Sequence, residues 1–596
     1  MNEPNWRANE SSQTETRRRS GARWAGLLAV AAIALTVAWA LHASVVAQGT
    51  GQVQGVVLKQ EGGSAVGATV RQQSKLDSVT TASDGRFTLR GLEEGESITV
   101  TAWLDGYYVG WQVVTPTVSG VSITVRPYPT TDNEDYHWFS STDPEEGISC
   151  LHCMVAYPEW VAGAHGQSAI NPRFFSMYNG TDVTATGVIS PGYKLDFPGT
   201  AGNCATCHAP GAATRRQGAF TADMNELRPG AEQEGVFCEF CHKIGDVYLN
   251  PATGLPYSNA PGVLSYRLHR TFDPDVLFLG PLDDVTRRVS YLPLEKQSQF
   301  CAPCHQFGFW GTPIYQSFEE WLNSDYPSQG IECQTCHMPP GELPYFVYPE
   351  HGGLIRDPST LASHLDLGVK DSEFMQGTVS MTLHTNPSHA GINVTVAITN
   401  VFAGHHVPTD YPGRNMILVL SAKDERGQLL GQLSGPVVPD WGGTGGGEVD
   451  YGGLPGKGYA KILRDAVTGD WPVVNYWKPT FIHSDNRIPA RACDVSQYRF
   501  ALPNDSRTGA LPNDGRTGAL LNDGRTGALP DDGRTGARLA SGNVTIEAQL
   551  WFRRLFIDMA REKGWDTPDI LMAQARVEVA AAVVAPLIYL PVIARG

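Results

Sequence analysis

The chain carries few charges and, in particular, few cations. Charged side chains make up 18% of its 596 residues, and 45 Lys and Arg stand against 61 Asp and Glu, for a net charge of −16. A general nucleic-acid binder needs clustered Lys and Arg to meet the phosphate backbone, so this composition argues against that class. The chain also lacks an H-E-x-x-H motif, which leaves a metallopeptidase without support.

Long apolar runs are scarce as well. An uncharged stretch over residues 24–41 follows an arginine-rich run and leads to small residues ending near Ala47. This layout predicts an export signal over residues 1–47 that is cleaved after Ala47, with an uncleaved membrane anchor as the alternative. The C-terminal run over 579–593 is too short for a second span. We therefore expect a periplasmic, cell-surface or extracellular protein.

Glycine and proline are abundant, with 64 and 40 residues, which favours strands, turns and irregular loops. Alternating stretches and an Asp84-Gly85 turn predict a small antiparallel β-sandwich over residues 52–128. With the segments 53–57, 67–70 and 84–89, this part resembles a carboxypeptidase regulatory-like domain of Ig-like topology. The resemblance implies a spacer or adhesion role and no peptidase activity.

A second strand-rich segment is predicted over residues 373–593. Alternation of apolar residues indicates strands with one buried face at Ile392, Val394, Val396 and Ile398 and at Val544, Ile546, Ala548 and Leu550. A helix with Phe552, Leu555, Phe556 and Met559 on one face is predicted to end near Gly564. A nine-residue repeat over 501–540 interrupts this β-sandwich-like domain, and its low apolar content predicts an exposed loop.

Cysteine is rare, yet its spacing is regular. Ten of the eleven cysteines form pairs separated by two residues: Cys150/Cys153, Cys204/Cys207, Cys238/Cys241, Cys301/Cys304 and Cys333/Cys336. Histidine follows the second cysteine of four pairs, at His208, His242, His305 and His337. Four C-x-x-C-H motifs are far more than this composition would give by chance.

The spacing suits covalent attachment of haem. Two thiols separated by two residues can form thioethers with the two vinyl groups on one porphyrin edge, and the next imidazole then lies beneath the iron as proximal ligand. Paired thiols also bind zinc or form disulfides, but neither alternative accounts for a histidine after each second cysteine. The motifs therefore predict four covalently attached haem c groups.

Beyond these motifs, the chain resembles exported multihaem c-type cytochromes. The resemblance covers about residues 130–580 without the repeat, and it also includes the segments 160–165, 171–174 and 404–409. It implies electron transfer through closely spaced haems. The expected fold is mixed and β-rich, with an N-terminal β-sandwich, a loop-rich haem-binding region with short helices over 130–372, and the C-terminal β-sandwich-like domain.

The first cysteine pair departs from the pattern, because Met154 stands where the histidine is expected. Three alternatives stay open. Met154, or a histidine from elsewhere, ligates a fifth haem; the fifth haem is five-coordinate and reactive; or Cys150 and Cys153 form a dithiol or disulfide without haem. A methionine ligand would raise the potential of that haem relative to a bis-histidine neighbour. The predicted number of haems is therefore four or five.

Histidines outside the motifs are the candidates for distal axial ligands. By resemblance, the set contains His165 after the first motif, His364 after the last and His405 at a strand end, together with His269 and His351. Each has the alternative role of an ordinary surface or core histidine.

Electron transfer to redox partner proteins or to an external acceptor is the leading functional hypothesis. The competing hypothesis is a nitrite- or hydroxylamine-type oxidoreductase, which needs one haem with an open coordination position beside His, Arg, Tyr or Lys. The acidity of the chain predicts basic docking partners. The sandwiches and the export signal are compatible with self-assembly or a surface complex, and the N-terminal segment with membrane attachment.

Overall fold

The computed structural model describes residues 49–142, 150–215, 221–272, 277–286, 288–503 and 542–580. The predicted export signal, most of the predicted repeat and the end of the C-terminal run lie outside these residues. Within them, no helix combines the length and the apolar character that crossing a bilayer requires. The expected mixed, β-rich fold is confirmed.

Seven N-terminal strands form two sheets around one core. They are β1 Gly51–Lys59, β2 Thr69–Gln72, β3 Ser78–Thr80, β4 Arg86–Leu92, β5 Ile98–Trp103, β6 Gly110–Val114 and β7 Val118–Val125. The strand orders β4-β1-β7 and β3-β2-β5-β6 enclose Val53, Val57, Val100 and Ile123. The expectation of a purely antiparallel sandwich is wrong, because β1 and β7 run parallel. Side chains alternate between faces in either direction, so the sequence pattern could not reveal this.

The middle region is built from short elements. Its helices are Ala156–Ala162, Pro172–Asn179, Tyr193–Asp196, Ala205–His208, Pro210–Ala213, Cys238–Cys241, Ala302–His305, Ser317–Leu322 and Cys333–His337. Its strands are β8 Ile244–Val247, β9 Tyr266–Leu268, β10 Phe278–Gly280, β11 Val289–Tyr291, β12 Phe307–Phe309 and β13 Thr312–Tyr315, paired as β8-β9, β10-β11 and β12-β13. A 3-10 turn covers Cys150–His152.

A larger sandwich follows the helix Ser372–Gln376. Its strands are β14 Val379–Ser388, β15 Gly391–Asn400, β16 Asn415–Lys423, β17 Gln432–Ser434, β18 Gly456–Asp465, β19 Thr480–Asp485, β20 Cys493–Phe500, β21 Asn543–Arg553 and β22 Ile570–Ala580. The sheets β14-β15-β20-β17 and β19-β18-β16-β21-β22 share one core, to which β15 and β21 contribute the alternating residues predicted from the sequence. The predicted repeat falls between β20 and β21, which belong to different sheets.

The helix after β21 is shorter than predicted. Phe552 belongs to β21, where it pairs with Ile570 of β22, and the helix covers only Ile557–Glu562. Hydrogen bonding between β21 and β22 keeps Phe552 in the strand, although the spacing of Phe552 from Leu555, Phe556 and Met559 also fits one face of a helix. Gly564 follows the helix with φ +68°, a left-handed conformation that suits glycine.

Both sandwiches contact the middle region. On the N-terminal side, the Arg71 guanidinium lies 2.8 Å from the Asp283 carboxylate. On the C-terminal side, the Trp310 indole donates to the Trp477 carbonyl at 2.8 Å. The middle region, which bears the paired cysteines, therefore contacts both β-sandwiches.

Candidate functional site

One large cavity runs through the middle region and reaches the C-terminal sandwich. Its volume is about 2460 Å³, roughly two to eight times the volume of a pocket for one small ligand. All ten paired cysteines line it. The cavity is therefore large enough for several bulky groups, and all the paired thiols open onto it.

The C-x-x-C-H motifs form short helical turns. The backbone N–H groups of His208, His242 and His305 donate to the carbonyl of the first cysteine in each motif at 3.0–3.1 Å. Residues three and four positions apart lie on one face of a helix. Both thiols and the imidazole of a motif are therefore presented to the same side.

The first cysteine pair is built differently. Cys150 lies in the 3-10 turn Cys150–His152, and Met154 lies in the turn that follows. Cys150 and Cys153 line the cavity, whereas Met154 is half-buried and is not among the lining residues.

Thiols of different motifs contact one another. All eleven cysteines are free thiols, with Cys493 exposed on β20. The side chains of Cys150 and Cys238, of Cys207 and Cys304, and of Cys301 and Cys333 are close enough to interact electrostatically. In the described part of the chain, no three His, Cys, Asp or Glu side chains converge as a cage for a metal ion. Groups attached at contacting thiols would lie directly beside one another.

Six cavity histidines have their Nδ1 atoms directed to protein oxygen atoms. The acceptors are the carbonyls of Ser168 for His208 (3.4 Å), Leu279 for His242 (2.7 Å), Leu367 for His337 (2.6 Å) and His406 for His405 (2.9 Å), and the carboxylates of Asp366 for His165 (2.9 Å) and Asp410 for His305 (3.8 Å). This arrangement leaves Nε2 of each ring for another partner, as in histidines that bind metals. The imidazoles thus fit the axial-ligand role that haem iron requires.

Two histidine pairs face each other across the cavity. The ring centres of His305 and His165 lie 6.4 Å apart, and those of His337 and His405 lie 6.2 Å apart with a 13° interplanar angle. Two imidazoles that bind one metal ion from opposite sides, with metal–nitrogen distances of about 2 Å, hold their ring centres about 6 Å apart. His405 lies in the loop between β15 and β16, so the C-terminal sandwich supplies one member of a pair.

Burial keeps several of these rings neutral. It lowers the pKa values of His208 and His337 to about 4, because the charged imidazolium loses its hydration. For His165, burial opposes the effect of the Asp366 carboxylate, and its pKa is raised. At neutral pH, His208 and His337 therefore offer an unprotonated ring nitrogen.

The remaining candidate histidines are placed differently. His364 lines the cavity, and burial lowers its pKa to about 4. His269 is 4% exposed and is not among the lining residues, and His351 is exposed outside the cavity.

A group of cavity residues was not singled out from the sequence. The hydroxyls of Tyr315 and Tyr476 lie 2.9 Å apart, and the Tyr411 ring centre lies 6.3 Å from that of Tyr476. Tyr315 and Tyr476 are close enough to Cys207 and Cys204 for their charges to interact. These tyrosines come from separate segments, so no local pattern could have united them.

No family model matches the chain, and no curated protein matches it. Among solved structures, it is similar to a penta-heme cytochrome c552 from Thermochromatium tepidum. The identity is 20%, the match covers 73% of this chain and 100% of that chain, and the TM-score is 0.47.

Proposed function

We propose that the protein is an exported multihaem c-type cytochrome that transfers electrons. The observation that carries this proposal is the single cavity lined by all ten paired cysteines, into which histidine rings with engaged Nδ1 atoms open. Haem c, when bound, supplies reversible one-electron chemistry at iron. The chain supplies the thiols, the axial nitrogens and a buried environment.

Each residue type has a separate role in this proposal. The thioethers form on the four cysteine pairs of the C-x-x-C-H motifs and on Cys150 and Cys153. The proximal ligands are His208, His242, His305 and His337. The ring distances support His165 as the distal ligand opposite His305, and His405 as the distal ligand opposite His337.

The proximity of the thiols supports an electron path through all five pairs. Cys301 lies close to Cys333, and Cys304 lies close to Cys207, so the motif at Cys301/Cys304 would lie between two neighbours. Cys150 lies close to Cys238, which would join the first pair to the motif at Cys238/Cys241. Cys241 interacts electrostatically with Cys301 and Cys304, which would join these two groups. Close spacing of this kind suits electron transfer between haems without a diffusing carrier.

The haem count tests this proposal. The full chain, matured with the cytochrome attachment machinery, should carry five covalent haems by intact mass and by pyridine haemochrome assay. Replacing Cys204 and Cys207 by serine should remove one haem, while Cys493→Ser should remove none, because Cys493 lies outside the cavity. A protein with no covalent haem would overturn the proposal.

The donor and acceptor remain defined only by class. We propose a location outside the cytoplasm and electron exchange with redox partner proteins or an external acceptor. Assembly into a surface complex is a further part of the proposal, and membrane attachment through residues 1–47 is the alternative to cleavage after Ala47. Separation of periplasmic, membrane and extracellular fractions, with immunodetection of the chain in each, tests the location.

A second candidate function is an oxidoreductase with one open-site haem. In the described residues, no second imidazole lies about 6 Å from His208, whose ring stacks on Phe174 at 4.3 Å. Tyr315, Tyr476 and nearby Arg414 line the cavity on this side, and hydroxyl and guanidinium groups bind small oxyanions well.

Ligand binding separates the two candidates. An open site at Cys204/Cys207 predicts that carbon monoxide shifts the reduced haem spectrum and that this shift disappears when both cysteines are replaced by serine. Turnover of nitrite or hydroxylamine should fall in the same cysteine-to-serine variant. If carbon monoxide, cyanide and nitrite leave the haem spectrum unchanged in both the ferric and the ferrous state, electron transfer is the one candidate function that remains.

A further inference from the structure

Position 154 does not offer a ligand to the cavity in the way that the four motif histidines do. The N–H groups of His208 and His305 close a helical turn onto the carbonyl of the first cysteine. At the first pair, the N–H of Cys153 donates to the Cys150 carbonyl at 3.0 Å and the N–H of Val155 donates to the Phe346 carbonyl at 3.1 Å, while Met154 is not a cavity-lining residue. A haem on Cys150 and Cys153 would therefore need an axial ligand from another segment.

His364 contacts two residues that neighbour this pair. Its backbone N–H donates to the Glu159 carboxylate at 2.8 Å, and Glu159 lies in the helix Ala156–Ala162 that directly follows the pair. Its ring centre lies 5.8 Å from that of Phe346, the residue whose carbonyl binds Val155. His364 lines the cavity, and its buried Nδ1 atom has no hydrogen-bond partner among the described residues.

The other cavity histidines are engaged elsewhere. His165 faces His305, and His405 faces His337. The remaining cavity histidine after the last motif is His406, whose ring Nδ1 atom lies 3.5 Å from the Glu320 carboxylate.

His152 lies between the two cysteines of the first pair, is exposed and already makes another contact. His364 and His242 interact electrostatically, yet among the described residues their rings do not form a pair at the distance seen for the two facing pairs.

We infer that His364 supplies the axial nitrogen to a haem attached at Cys150 and Cys153, in place of the histidine that is missing at position 154. This inference rests on the proposed function. The ligand would then come from a residue beyond the last motif, so this haem site would be completed only when the segment around His364 packs against the helix Ala156–Ala162.

The experiment combines haem counting with electron paramagnetic resonance of the ferric holoprotein. Wild-type protein should carry five haems. His364→Ala should change the ferric signal of one haem, because its iron loses its nitrogen ligand, whereas Met154→Ala should leave the spectrum unchanged. His351→Ala is the matched control, because His351 is an exposed histidine outside the cavity.

A variant without the first pair of cysteines shows which haem His364 binds. In Cys150→Ser/Cys153→Ser protein, which should carry four haems, adding His364→Ala should change nothing further. If His364→Ala does not yield folded holoprotein, His364→Met keeps an axial ligand and should introduce a methionine-to-iron charge-transfer band for one haem.

The outcomes are distinct. A spectral change by His364→Ala that persists in the serine background would assign His364 to another haem and overturn the inference. A change by Met154→Ala, or four haems in the wild-type protein, would overturn it too, while leaving a multihaem cytochrome in place. A protein without covalent haem would overturn the proposed function itself.

Discussion

Several cavity histidines are oriented by oxygen atoms that lie far away in the chain. His165 is separated by about two hundred residues from Asp366, whose carboxylate accepts from its Nδ1 atom at 2.9 Å. His337 donates to the Leu367 carbonyl at 2.6 Å. Such partners fix the orientation of the ring and raise the basicity of its free nitrogen. One segment, over residues 366–367, therefore orients two rings that serve different motifs.

Asp366→Asn should raise the midpoint potential of one haem. An amide accepts less strongly than a carboxylate, so His165 becomes a poorer donor to ferric iron. If the stabilisation of ferric over ferrous iron falls tenfold, the one-electron midpoint potential rises by about 60 mV. Spectroelectrochemical titration of the holoprotein measures the shift. Asp357→Asn is the control, since Asp357 caps an exposed turn at Ser359, and an equal shift in both variants would contradict the prediction.

Asp450 gives a prediction for acid stability. The Arg561 guanidinium, 2.7 Å away, and the Gly447 N–H hold the pKa of its carboxyl below the usual range. A lowered pKa stabilises the fold above the unfolded value of about 3.9, and this contribution is lost as pH falls through the folded pKa.

Asp450→Asn should thus lower the free energy of unfolding by about 1 kcal/mol at neutral pH, since Arg561 is partly exposed. The difference from wild type should shrink below about pH 4. Urea denaturation of the holoprotein at several pH values measures it. A difference that stays constant down to about pH 2 would speak against the ion pair.

Short elements can be tied together by a single side chain. Lys563 follows the helix Ile557–Glu562, is fully buried, and its ammonium lies within hydrogen-bond distance of the carbonyls of Ser176, Thr181, Ile189 and Pro191. These carbonyls belong to the middle region next to the first motifs. The contact fastens the C-terminal sandwich to a segment that has little regular structure of its own.

Lys563→Met should lower the free energy of unfolding by about 1–3 kcal/mol, because buried carbonyls lose their donor. Hydrogen exchange should increase most over residues 176–191, which the lysine contacts. Lys75→Met, at an exposed position, serves as control. Uniform loss of protection across both sandwiches would mean that the residue stabilises the whole fold and not this junction.

At the scale of the whole molecule, charge is the dominant feature. The net charge of −16 would become more negative with haem propionates, so the surface attracts cations over a distance set by ionic strength. A charged partner protein therefore approaches in the field of a chain with net negative charge.

Electron exchange with a basic partner protein should therefore slow as salt rises, since screening removes the long-range attraction. Stopped-flow rates at about 0.01 M and about 0.15 M ionic strength measure this effect. Between these two ionic strengths the Debye length falls from about 30 Å to about 8 Å. An uncharged small mediator is the control and should react at the same rate in both. Salt-independent exchange with the basic partner would contradict the prediction.

Local patterns determined two features of this protein. The C-x-x-C-H spacing predicts haem attachment because thioether formation and proximal ligation involve groups within five residues. The alternation at Ile392–Ile398 and Val544–Leu550 predicted β15 and β21 correctly, because a period of two requires only that one face be buried. The pattern was wrong at Phe552, which it placed in a helix, because pairing with β22 extends β21 through this residue.

The tertiary structure decided which distant residues meet. The sequence supplied His165 and His405 as candidates, but only the fold brings their rings opposite His305 and His337. The same holds for the parallel pairing of β1 with β7 and for the contact of His364 with the helix Ala156–Ala162. Contacts between remote segments depend on how all the intervening elements pack, and no local spacing encodes that arrangement.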